Sequence, residues 1–114
     1  MKTILNKLNS LIGKAYDAET YHCYHFIESV LSVPKLKDVH VDTALNDISK
    51  YKDLFVEIDS PEDFCIVLLG DKHIGIYYNG GIYHADKPMV RYESMRVMKM
   101  KYKGFKWFLY PPQS

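Results

Sequence analysis

The chain has 114 residues, the length of one domain, and its 47% apolar and 25% charged residues describe a folding chain able to bury a core without staples. A formal net charge of +1 leaves no basic excess to point to nucleic acid and no acidic tail. No run approaches the roughly 18 apolar residues of a membrane span, and "MKTILNKLNSLIGKAY" lacks the unbroken apolar stretch and small-residue cleavage site of a signal peptide.

Ile4, Leu5, Leu8, Leu11 and Ile12 follow helical spacing, and Gly13 supplies a stop. After the loop "KAYDAE", Cys23, Phe26, Ile27, Val30 and Leu31 fall at i, i+3, i+4, i+7 and i+8, the apolar stripe of a second helix. Thr20 suits the N-cap, which places Cys23 in the first turn, and Pro34 closes the helix. A third helix is expected over Thr43 to Lys52, with Leu45, Ile48 and Tyr51 inward.

From there the period changes to that of strands. "FCIVLL", "HIGIYY", "GIYHA", "SMRVMKMKY" and "FKWFLY" read as five of them, the fourth alternating basic and apolar residues as a strand with one solvated face does. Asn79-Gly80 is a hairpin signal because both residues accept positive φ. Pro111 and Pro112 end the last strand. With no repeat or linker, residues 1–114 form a single domain of the α+β class, N-terminal helices on one face of a mainly antiparallel sheet of about five strands. Ten tyrosines suit an aromatic-walled cleft or simply a packed core.

A nucleophilic cysteine needs thiolate character, a base, and a group to orient the base. The first turn of a helix supplies the first, because unpaired N–H groups and the helix dipole favour the thiolate. Cys23 is expected there. Cys65, inside "DFCIVLLG", reads as an inert buried thiol, and a Cys23–Cys65 disulfide is left open. If Asn79-Gly80 is a two-residue turn, His84 falls opposite Gly75 and on the face of His73; a three-residue turn would shift the count. In that register one imidazole can take the thiol proton while the other holds its second nitrogen, a triad with histidine in third place. His22, Cys23 and His25 cannot all face one ion from a single helical turn, and no Cys-x-x-Cys is present, so no metal and no cofactor are expected.

These segments carry a resemblance. "LIGKAYDAETYHCYHFIESVL" resembles the Gly-Lys-Pro-Tyr stretch and nucleophile helix of the NlpC-type cysteine peptidases, and "HIGIYYNGGIYHAD" resembles their His-Val-Gly-Ile-Tyr strand with its following His-Ala. The likeness runs from Leu11 to Asp86. It implies a papain-like NlpC-type fold and a cysteine endopeptidase or amidase acting on the stem peptides of peptidoglycan. It also implies Cys23 as nucleophile, His73 as general base, His84 as the orienting residue, and Tyr16 beside the oxyanion. The chain departs from the family's Asp-Cys-Ser-Gly pattern in having His22, Tyr24 and His25, and it has Ala15 where proline is common. "Cys-Tyr-His" resembles the Cys-Trp-His form of phage tail-encoded members. That implies phage tail partners, and a protein carried in a virion or delivered to the cell wall after synthesis in the cytoplasm. The alternative from another class is a non-catalytic structural or adaptor component of phage-tail type that keeps the peptidase fold.

Overall fold

The structure, a computed structural model, describes residues 4–17, 21, 23–31, 55–70 and 73–109. The expected helix over Thr43 to Lys52 lies outside these residues, as do Thr20, Pro34, Pro111 and Pro112. Helix α1 (Ile4–Leu11) buries Leu8 and half-buries Ile4, Leu5 and Leu11, while Ile12, just past its end, is exposed. Gly13 takes φ +92°, a conformation costly for any residue with a Cβ, and stops the helix as its position suggests. Helix α2 (Cys23–Leu31) begins at the cysteine itself. Before it, Asp17 and Tyr21 exchange two backbone hydrogen bonds of 2.9 Å, folding the chain back toward the helix start.

Six strands form one antiparallel sheet: β1 (Val56–Ile58), β2 (Ile66–Leu69), β3 (His73–Tyr78), β4 (Gly81–Asp86), β5 (Met89–Ser94) and β6 (Phe105–Leu109), in the order β1-β6-β2-β3-β4-β5. The fold is thus α+β, with an open sheet of six strands rather than about five. β1 and β5 are the additions. "VEI" is too short to show a period, and "MVRYES" lacks a run of β-branched residues to announce it.

One expected strand is a helix. Within "SMRVMKMKY", Met95–Lys101 forms α3, capped by Ser94, whose Oγ accepts from Val97 N at 3.4 Å. Seven residues cannot separate a period of 2 from one of 3.6, and Met, Arg and Lys are good helix formers, so the cap decides. Met98 is fully buried, Met95 half-buried, and Met100 stands 78% exposed on the outer side.

The pleat sorts the core into two clusters. The first joins Leu8, Cys23, Phe26, Ile27 and Val30 to Phe55, Ile66, Leu68, Ile74, Ile76, Tyr83, Ala85 and Val90. The second joins Val67, Leu69, Ile82 and Met98, with Tyr77, Met95, Tyr102, Phe105 and Trp107 against them. Full burial of a side chain such as Phe26 stabilises by about 1.5–3 kcal/mol. Among the described residues no helix is long and apolar enough to cross a membrane.

Candidate functional site

The β3–β4 hairpin sets the site. Asn79 at φ +46° and Gly80 at φ +83° make a two-residue turn, and Tyr78 pairs with Gly81, Tyr77 with Ile82 and Ile76 with Tyr83. One step further along this register His84 faces Gly75. There a Cβ on residue 75 would stand 2.7 Å from Ile82 Cγ2, 2.8 Å from the Tyr83 carbonyl oxygen and 3.2 Å from His84 Cβ. Glycine is therefore required at 75, and its missing side chain leaves the space across which two rings meet. His73 Nε2 and His84 Nδ1 lie 2.8 Å apart, the rings nearly perpendicular at 78°.

The row continues onto β5. His84 Nε2 is 2.8 Å from Glu93 Oε1; Lys101 Nζ, from α3, donates to both Glu93 oxygens at 2.9 and 2.8 Å; and Arg91 Nη2 stands 3.3 Å from Oε1. Burial raises the Glu93 carboxyl, but the Lys101 and His84 hydrogen bonds outweigh it and bring the pKa down to about 2. Glu93 is an anion at neutral pH. His73 is pushed well below the ordinary histidine value by burial first and by the neighbouring His84 second, and His84 is lowered by burial against the opposing pull of Glu93. Both rings are neutral at pH 7.

Those charge states fix the protons. The Glu93 carboxylate can only accept, so His84 carries its proton on Nε2 and donates to it. A neutral His84 then has a bare Nδ1, so His73 Nε2 must donate to it. A neutral His73 is left with a bare Nδ1, a lone pair with no proton. The row orients His73 through Nε2 and leaves Nδ1 open to accept a proton, while burial and His84 hold its basicity below the ordinary value.

Tyr102 closes this side. Its ring stacks on His73 with centroids 5.7 Å apart at 15°. Its phenol is held protonated far above the usual range, chiefly by burial, then by the negative charges of Asp86, of Cys23 in its thiolate form, and of Glu93, and by a hydrogen bond to Asp86. Cys23 is thus near enough to Tyr102 for its charge to be felt there, and Tyr102 lies against His73.

The structure brings His73 and His84 together directly. Cys23 is the first residue of α2, fully buried, in the cluster of Ile74, Ile76 and Ala85. By strand alternation His73 and His84 belong to the other side of the sheet, that of Tyr77 and Ile82. Tyr16 is half-buried against the Cys23 cluster, its N–H donating to the Pro88 carbonyl at 2.9 Å. Cys23 and Cys65 are not joined by a disulfide. Glu93 and Lys101 escape the sequence reading because β5 and α3 do. The usable signal was "DKPM", a proline-bearing turn followed by Val90-Arg91-Tyr92-Glu93 in strict alternation, which puts Glu93 on the face of His84. A surface depression lined by Gly70, Lys103, Gly104, Phe105 and Lys106 holds none of these residues. Neither protein-family models nor curated proteins give a match to this chain.

Proposed function

We propose that the chain is a thiol-dependent amide hydrolase with a papain-like NlpC-type fold, cleaving the short stem peptides of peptidoglycan through a Cys23 thioester. The observation that carries this reading is the His73–His84–Glu93 row, whose hydrogen bonds leave His73 Nδ1 as a bare base. Cys23 opens α2 and His73 opens β3. Both sit at the ends of their elements; the Tyr102 ring stacks on His73, and the charge of a Cys23 thiolate is felt at the Tyr102 phenol.

In the proposed cycle His73 Nδ1 takes the Cys23 proton, and the thiolate attacks the substrate carbonyl. The positive charge on His73 is spread through His84 toward Glu93. The N–H groups of the first turn of α2 face the developing oxyanion, with Tyr16 beside them on the family resemblance. His73 then protonates the leaving amine, and the C–N bond breaks to give a thioester. Water loses a proton to His73, attacks the thioester, and releases the acid with the thiol restored.

The direct test is release of amine from a synthetic stem peptide by the full chain and by Cys23→Ala. Loss of turnover with retained folding supports the reading, and equal turnover overturns it. One observation favours a second reading, a binding or scaffold component of phage-tail type that keeps the fold without catalysis: Cys23 has 0% exposure and apolar neighbours. In that case the wild-type chain retains its stem-peptide or tail-protein partner with no product formed, and Cys23→Ala binds equally well.

A further inference from the structure

We propose that His73, His84 and Asp86 form a zinc site, and that the ion and the proton-relay state of the two histidines exclude each other. One ring nitrogen of each histidine and one Asp86 carboxylate oxygen lie within 4.8 Å of one another. Two imidazoles and a carboxylate are a donor set that suits zinc, with water as fourth ligand. The outer shell is in place as well. His84 donates from Nε2 to Glu93 at 2.8 Å, the carboxylate–histidine arrangement that orients a metal-binding ring and raises its basicity, so Nδ1 is the nitrogen turned toward the ion. Asp86 is 37% exposed, which gives the ion a path from solvent.

Two features moderate the affinity. Asp86 already accepts from Lys87 N at 2.8 Å, hydrogen-bonds Tyr102, and has Arg91 Nη2 3.9 Å away, so the ion must displace part of that shell. His73 Nε2 and His84 Nδ1, now 2.8 Å apart, must also open to the about 3.3 Å that two tetrahedral zinc–nitrogen bonds of about 2.05 Å require.

The proton count gives the mutual exclusion. In the relay state His73 holds its proton on Nε2. Zinc needs the Nε2 lone pair, so that proton moves to Nδ1, and no proton is lost from the neutral pair. The Nδ1–H form has no lone pair left to act as a base. Binding is therefore a switch of tautomer, legible without any assay of turnover.

The test uses the full chain stripped of metal and zinc ion alone, titrated in competition with a chromophoric chelator. Imidazole nitrogen–proton NMR correlations follow the tautomers. The expected result is one ion per chain in the micromolar range, weakened at least about tenfold by Asp86→Ala, unchanged by Cys23→Ala, and accompanied by a shift of the His73 proton from Nε2 to Nδ1. Absence of stoichiometric binding, binding indifferent to Asp86→Ala, or binding lost in Cys23→Ala overturns the site. Binding without the change of tautomer overturns the exclusion. Asp86 is partly exposed, so its variant tests the site where substitution of the fully buried His84 risks the fold. None of these readouts depends on the hydrolase reading.

Discussion

Cys23 and Cys65 are buried to the same extent, at 0% exposure, yet their surroundings differ in kind. Cys65 follows Phe64, which bends the chain at φ +71°; its N–H donates to the Glu62 carbonyl in the turn before, and its carbonyl accepts from Tyr77 N of β3. Burial pushes its thiol above the ordinary range, and the nearby Glu62 and Asp63 charges add to that. Cys23 instead opens a helix, and its charge as a thiolate is felt at Tyr102, whose ring stacks on His73. Burial alone does not tell an inert thiol from a reactive one; the charges and dipoles that see the sulfur do.

The sharpest way to break this comparison is to remove each sulfur in turn. Cys23→Ala should lower amide hydrolysis at least about a thousandfold, whereas Cys65→Ala should leave kcat/KM within about twofold and cost only stability, about 1–2 kcal/mol. Matched losses in the two variants would erase the distinction. Next in size is Glu93→Gln, which keeps an acceptor but removes the charge. It should lower kcat about tenfold to a hundredfold with KM little changed, because the charge assists only once His73 is protonated.

The histidine pair that distinguishes Cys23 depends on Gly75. Gly75→Ala drives a Cβ to within 2.8 Å of the Tyr83 carbonyl, backbone that cannot swing aside, and should cost about 2–3 kcal/mol in urea unfolding. Acidity probes the same row. His73 and His84 have folded-state values below their unfolded one of about 6.5, and Glu93, at about 2, lies below its unfolded value of about 4.3. Depressed groups contribute stability that is complete above the unfolded value and is lost as pH falls toward the folded one. The urea midpoint should therefore hold from pH 8 to about 7, then fall through pH 6 to 4, more steeply than in His73→Gln. Smallest is Ser94→Ala, expected to cost about 1 kcal/mol through the lost cap of α3, the helix that delivers Lys101.

The hairpin was legible because Asn79-Gly80 fixes both turn and register, and a fixed register puts His73 and His84 on one face by counting. The existence of α2 followed from its apolar stripe, but a cap at Thr20 puts its start at Tyr21, two residues before the observed Cys23. α3 was not legible, since basic and apolar residues alternate there as they would in a strand, and only the Ser94 cap separates the two. Missing α3 and β5 hid Lys101 and Glu93, so the row read as ending at His84 when it runs two residues further. The crossing of β6 between β1 and β2 depends on long-range pairing that no local pattern encodes.

The most direct measurement is the rate of alkylation of each cysteine in the native protein as a function of pH, located by peptide mass. The account predicts that Cys23 reacts much faster than Cys65 and loses that advantage in His73→Gln. Modification of both cysteines at one slow rate, tracking global unfolding and indifferent to His73, would contradict it.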